Sequence, residues 1–128
     1  MEIQDVLKAL GDSGCLLLCY CRLAGIKIED LIFNFNILVE LDIIRPDCYV
    51  LDANKLLKFH GKDYMRIEKT HVKDVPEGQE YIVPYHRNGF THFVIARDGK
   101  VIYNTLMNSK CVKFGIPDDI VRIVKEKK

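Results

Sequence analysis

The chain has 128 residues, which fits one domain of about 100–200 residues better than an enzyme with separate cofactor and substrate domains. Lys and Arg total 19 and Asp and Glu total 18, so the net charge of +1 offers no basic surface for a nucleic-acid backbone. Hydrophobic residues make up 48% and charged residues 29%, a balance typical of a folded globular domain. We therefore expect a single domain, residues 1–128, without a nucleic-acid partner.

The N-terminal segment and the cysteine content predict a cytoplasmic protein. Glu2 and Asp5 place acids where a signal peptide needs cations. No apolar run approaches the roughly 20 residues that a membrane-spanning helix needs. The chain has 5 cysteines, an odd number, and in a reducing compartment they are expected to be free thiols rather than a disulfide framework.

Residues up to about 61 have helical periodicity. Gly11 is expected to end the first helix, and Asp12 or Ser13 to cap the second. The second helix is apolar around its whole circumference and is therefore expected at the centre of the fold. The predicted helices run over Ile3–Leu10, from Cys15 to a stop at Gly25, over Lys27–Leu41, and from an Asp52 cap over Ala53–His60.

From about residue 62 the period changes to that of strands. The predicted strands are Tyr64–Thr70, Gln79–His86, Phe90–Arg97, Lys100–Asn104 and Cys111–Phe114. Asn88-Gly89 and Asp98-Gly99 each lie between two of these runs, which predicts hairpins and hence an antiparallel sheet. Pro117 and Asp118 are expected to begin a final helix that runs to Lys128. The sequence thus predicts an α+β fold with N-terminal helices packed on a C-terminal sheet.

Cys15 is the first candidate for chemistry because it falls in the first turn of the predicted central helix. Unpaired backbone N–H groups and the positive end of the helix dipole stabilise a thiolate there. The alternative is that Cys15 is a small buried apolar side chain, as free cysteines often are. Cys19 and Cys21 lie further along the same helix and are expected to serve only in core packing.

His92 is the candidate general base, because it stands near the start of the apolar strand that runs from Phe90. A core histidine with satisfied hydrogen bonds is the alternative. The other histidines, His60, His71 and His86, lie at the ends of predicted elements. A histidine exposed to solvent there needs no catalytic role.

Asn104 can complete the site if the turn sets the right register. A three-residue loop with Gly99 in the left-handed conformation places His92 directly opposite Asn104, with Cβ atoms about 4.5–5.5 Å apart. An amide oxygen at that distance can orient an imidazole ring. A two-residue loop at Asp98-Gly99 instead places His92 opposite Thr105 and Asn104 on the other face.

Three short segments together resemble a known superfamily. They are Gly14-Cys15 at the head of a buried helix, THFVI at residues 91–95 and VIYN at residues 101–104. The order Cys, His, Asn is similar to that of papain-like cysteine peptidases. Among these, the compact bacterial peptidases that process double-glycine leader peptides are most similar, because helices precede a sheet whose strand begins with a histidine. That bacterial group has Asp where this chain has Asn104, whereas papain itself has Asn.

The resemblance implies a papain-like fold and a cysteine peptidase or amidase acting on a peptide or amide substrate. Carried over residue by residue, Cys15 is the nucleophile, His92 the base and Asn104 the orienting residue. The glutamine that binds the oxyanion in the family corresponds to Ala9 here. Ser13, Asp12 and the backbone N–H of Cys15 are therefore the oxyanion candidates. The resemblance implies no cofactor and no metal.

Two other functions remain open from the sequence. The first is a catalytically inactive papain-fold binding module of phage or plasmid origin, which keeps the fold without a working oxyanion site. The second is a zinc site formed by Cys15, Cys19 and a histidine, although the chain lacks the paired ligand spacing that is typical of structural zinc sites.

Overall fold

The structure is a computed structural model that describes residues 1–105 and 115–127. It has the α+β architecture predicted from the change in periodicity, with helices first and an antiparallel sheet after them. The helices are α1 (Ile3–Ser13), α2 (Cys15–Ala24), α3 (Ile28–Glu40) and α4 (Ala53–Phe59), and a short 3₁₀ helix follows at Val72–Asp74. The strands are β1 (Met65–His71), β2 (Tyr81–Arg87), β3 (Phe90–Arg97), β4 (Lys100–Tyr103), β5 (Ile116–Pro117) and β6 (Ile120–Glu126).

The first helix does not end at Gly11, so that prediction is wrong. α1 continues to Ser13, because an isolated glycine costs a helix only about 1 kcal/mol when the following residues keep the hydrogen bonding intact. Gly14 ends α1, and its N–H donates to the Leu10 carbonyl at 3.0 Å. Asp12 therefore still belongs to the last turn of α1.

Gly14 is also the residue from which α2 starts, so a single residue separates the two helices. No side chain caps α2, which corrects the prediction that Asp12 or Ser13 does so. A Cβ atom on Gly14 would lie 2.5 Å from the Leu10 carbonyl oxygen, closer than carbon and oxygen atoms can approach. Glycine is required here because the turn between the helices is this tight.

The remaining helix boundaries agree with the sequence. α2 ends at Gly25, whose φ of 73° is left-handed, and the Asp52 side chain caps α4 by accepting from the Lys55 N–H at 3.0 Å. Leu17 and Cys19 of α2 are fully buried, as expected for a central helix, and α2 packs against β3. Within the described ranges, no helix is both long enough and apolar enough to cross a membrane.

The described strands form one sheet in the order β1-β6-β2-β3-β4, with β5 adding a short pairing to β2. All these pairings are antiparallel. Two-residue turns at Asn88-Gly89 and Asp98-Gly99 join the hairpins, and all four residues have positive φ, which matches the twist of antiparallel strands. The predicted strand Cys111–Phe114 lies outside the described residues.

The predicted final helix is wrong, because residues Ile120–Glu126 form strand β6. Val121 and Ile123 are buried, whereas Ile120, Arg122 and Val124 are more exposed, so the segment has the alternation of a strand. β6 pairs with β1 along the whole of β1, from Met65↔Glu126 to His71↔Ile120. This pairing outweighs the weak helical signal of a proline start and a basic end.

Candidate functional site

Cys15 lies at the start of α2, on the wall of a cleft of about 580 Å³ between the helices and the sheet. The thiol is half-buried and faces this cleft. The abrupt change from α1 to α2 at Gly14 leaves the first N–H groups of α2 free of intrahelical partners around Cys15. The cleft also contains His92, Phe93 and Thr105.

His92 and Asn104 are brought together in the structure. The His92 Nε2 atom lies 2.6 Å from the Asn104 Oδ1 atom, so Nε2–H donates to the amide oxygen. His92 is only 4% exposed. Because Nε2 is held by Asn104, the other ring nitrogen, Nδ1, is the one available to the thiol.

The contact between His92 and Asn104 forms by a different register from the predicted one. The turn has two residues, with Arg97 opposite Lys100, so the predicted three-residue loop is wrong. A β-bulge follows, because Ala96 pairs with Val101 but Ile95 pairs with Tyr103. The extra residue returns the side chain after Tyr103 to the face of β3 that carries His92.

The thiol and the imidazole shift each other's pKa in opposite directions. Burial tends to raise the pKa of Cys15, but the interaction with the His92 side chain, helped by the backbone N–H groups of Phe93 and Leu16, brings it below its ordinary value of 9.0. The hydrogen bond with Cys15 raises the pKa of His92 against the opposing effect of burial, and the Asn104 hydrogen bond adds to the increase. The site therefore favours a thiolate–imidazolium pair.

The other described cysteines are electrostatically different from Cys15. Burial raises the pKa of Cys48 to about 11 and that of Cys21 to about 12. Burial also raises the pKa of Cys19, whose thiol donates to the Phe93 carbonyl at 3.5 Å. Of these four thiols, Cys15 is the one whose environment stabilises the thiolate.

The three oxyanion candidates, Asp12, Ser13 and the backbone of Cys15, all belong to residues that line the cleft. Asp12 is exposed and lies 3.6 Å from Lys8 on the same helix, so its negative charge is directed toward that cation. Ser13 is exposed and lines the cleft, as does Cys15, whose backbone N–H is in the first turn of α2. Ala9 packs against the hydrophobic core and has no polar group to offer.

Two cleft residues were not among the sequence candidates. Tyr20 of α2 and Arg122 of β6 both line the cleft, and the Arg122 guanidinium acts against the rise that burial causes in the pKa of Tyr20. The guanidinium carbon of Arg122 lies 5.0 Å from the centroid of the Phe93 ring. The sequence does contain a signal for Arg122, because it is an arginine within an apolar, β-branched run. The prediction of a helix for this segment, however, does not bring Arg122 next to the site.

The donors for the zinc hypothesis do not assemble. Across residues 1–105 and 115–127, no three His, Cys, Asp or Glu side chains lie close enough together to hold a metal ion. His86 instead contacts Thr91 Oγ1 at 3.0 Å and Asp118 Oδ2 at 3.2 Å on the surface.

No curated protein and no solved structure matches the chain. Residues 3–123 match the family described as "Protein of unknown function, DUF261". Because this match extends over nearly the whole sequence, the chain belongs to the DUF261 family.

Proposed function

We propose that this protein is a papain-like cysteine hydrolase, a peptidase or amidase, with Cys15 as nucleophile, His92 as acid–base and Asn104 as orienting residue. The observation that carries the proposal is that Cys15 and His92 line one cleft while Asn104 Oδ1 lies 2.6 Å from His92 Nε2. The opposite pKa shifts of Cys15 and His92, each caused in part by the other, support the same pairing. The order of the three residues and the position of the thiol at the head of a buried helix support the same class of enzyme.

In the first step, the Cys15 thiolate attacks the carbonyl carbon of the substrate amide, and the π electrons of the carbonyl move to its oxygen. The backbone N–H of Cys15 and the Ser13 hydroxyl are our candidate donors for that oxyanion, because both residues line the cleft. The half-buried position of Cys15 strengthens these interactions, because a less polar environment screens them less than water does.

In the second step, the His92 imidazolium gives its Nδ1 proton to the leaving nitrogen as the C–N bond breaks. A thioester on Cys15 and a free amine result. The neutral His92 then takes a proton from water, and the resulting hydroxide attacks the thioester, which releases a carboxylic acid and regenerates the thiolate. Asn104 accepts from Nε2–H throughout, so the ring keeps its orientation.

Quenched fluorescent peptide pools test the proposal directly. The wild type is expected to cleave at least one pool, and intact-protein mass spectrometry is expected to trap an acyl group on Cys15. Cys15→Ala and His92→Ala are expected to abolish cleavage. Cys48→Ala is the matched control, because Cys48 lines the same cleft but burial raises its pKa to about 11. A wild type that cleaves no faster than Cys15→Ala would overturn the proposal.

A peptide-binding module without catalysis is the second candidate. One observation favours it. Ala9 packs against the core at the position where papain-like peptidases have the glutamine that binds the oxyanion. This function predicts that the wild type and Cys15→Ala bind a peptide with equal affinity and that neither releases an amine from it. Isothermal titration and amine detection on the same sample distinguish the two functions.

A further inference from the structure

Arg122 is a cation built into the wall of the cleft that contains Cys15. It lies in the middle of β6 and is half-buried between the sheet and α2. Its guanidinium stacks on the ring of Phe93, with 5.0 Å from the guanidinium carbon to the ring centroid, and it lines the cleft together with Tyr20. Stacking on the Phe93 ring orients the plane of the guanidinium.

In the part of the chain that the structure describes, Arg122 forms no ion pair with a carboxylate. A half-buried arginine normally has such a partner, because burial without one is costly. Arg122 has five N–H donors, and none of the ion pairs among the described residues uses them. These donors can therefore bind an anionic group in the cleft.

The surroundings of Arg122 keep the local charge positive. A second cavity of about 310 Å³ adjoins the cleft, and Arg122, Phe93 and Thr91 line both. Lys69 of β1 lies directly opposite Arg122 in the sheet and lines this second cavity. The acid that lines that cavity is Asp118, which lies 3.2 Å from His86 Nε2, so two cations share the cavity with one carboxylate.

We infer that Arg122, stacked on Phe93, is a subsite for a substrate carboxylate, and that the substrate is a peptide or amide with a carboxylate close to the bond that is cleaved. The inference rests on the proposed function, because it assigns a substrate class to the same cleft. Planar guanidinium groups bind carboxylates through two parallel hydrogen bonds, which gives both affinity and orientation.

The spacing suits such a substrate. Tyr20 follows Cys15 by five positions on α2, which corresponds to about 7.5 Å along a helix axis. That distance is about two residues of an extended peptide. Arg122 and Phe93 line the same cleft as Cys15 and His92, so the Arg122 subsite shares one cavity with the reacting groups. A carboxylate one or two residues from the scissile bond can therefore reach Arg122.

Alkylating reagents test the subsite without requiring turnover. N-Iodoacetyl-glutamine amide is neutral, N-iodoacetyl-glutamate amide carries a side-chain carboxylate, and N-iodoacetyl-glutamine carries a terminal carboxylate. Each reacts when the Cys15 thiolate displaces iodide, forming a C–S bond as the C–I bond breaks. We expect at least one carboxylate reagent to label Cys15 about 10-fold faster than the neutral reagent, and the faster one identifies the source of the carboxylate.

Two variants make the experiment decisive. Arg122→Gln is expected to bring the ratio of the two labelling rates, with the carboxylate reagent and with the neutral one, close to one. Lys69→Gln removes the same charge from an exposed neighbour and is expected to keep most of the preference for the carboxylate reagent. Arg122→Lys keeps the charge and serves as the second variant if Arg122→Gln does not fold. It is expected to retain part of the preference for the carboxylate reagent. Equal labelling by all three reagents, or equal losses in Arg122→Gln and Lys69→Gln, would overturn the inference. Neither result depends on whether the wild type cleaves peptides.

Discussion

His92 Nε2 and Asn104 Oδ1 lie 2.6 Å apart, although His92 and Asn104 are not a directly opposed pair in the sheet. The two-residue turn at Asp98-Gly99 alone would direct Asn104 to the wrong face. The β-bulge in the β3–β4 pairing adds one residue and corrects this. The orientation of the His92 ring therefore depends on an irregularity of the sheet next to the proposed active site.

Asn104→Ala is expected to lower kcat by roughly 10- to 100-fold with a smaller effect on KM, because the ring loses its orientation and not its contact with substrate. The Asn104 hydrogen bond contributes to the raised pKa of His92, so its removal lowers that pKa. The high-pH limb of the kcat/KM profile reports loss of the imidazolium proton and is expected to move to lower pH.

Thr105→Ala is the matched control for this change, because Thr105 is the next residue and lines the same cleft. It is expected to leave both the pH profile and kcat close to those of the wild type. An Asn104→Ala profile that coincides with that of Thr105→Ala would contradict the orienting role of Asn104.

Gly14→Ala and Gly11→Ala form a second matched pair. A Cβ at Gly14 meets the Leu10 carbonyl oxygen at 2.5 Å, so Gly14→Ala is expected to reduce the free energy of unfolding by about 1–3 kcal/mol. A Cβ at Gly11 meets no atom within 4 Å, and Gly11→Ala is expected to stabilise the helix by about 0.5–1 kcal/mol. Urea denaturation measures both, and equal effects of the same sign would refute the tight turn before Cys15.

Cys19 is expected to be structural. It is fully buried and its thiol donates to the Phe93 carbonyl at 3.5 Å. Cys19→Ala is expected to lower the free energy of unfolding by about 1 kcal/mol, because it leaves a small cavity, while the folded fraction keeps its activity. Thermal melts and activity per folded molecule separate the two effects. Loss of activity at unchanged stability would transfer the chemistry to Cys19.

The sequence predicts most of the fold because its signals are local. Gly25 and Asp52 mark helix ends by their own conformation or side chain, and Asp98-Gly99 marks a hairpin. Strand β6 was missed because Pro117 and the basic C-terminus imitate helix ends, whereas its strand character comes from pairing with β1, distant in sequence. The predicted helix end at Gly11 is wrong because a glycine tolerated within a helix looks the same in sequence as one that ends it.

The candidate site was accessible from sequence only in part. Cys15 and His92 could be chosen by residue type and position within an element, and the structure places both in one cleft. Asn104 was chosen through a three-residue loop that does not form, and the contact arises from a bulge that no local motif announces. Arg122 reaches the cleft through tertiary packing on Tyr20 and Phe93, which periodicity cannot reveal.

The central claim is that His92 holds Cys15 as a thiolate below the ordinary cysteine pKa of 9.0. The most direct measurement is the rate of iodoacetamide labelling of each cysteine as a function of pH, read by peptide mass, for the wild type and His92→Ala. Cys15 is expected to label first, with a midpoint below 9.0, and to shift to higher pH in His92→Ala because only the backbone N–H groups of Phe93 and Leu16 then oppose the effect of burial. Labelling of Cys48 before Cys15, or a Cys15 midpoint that does not respond to His92→Ala, would contradict the account.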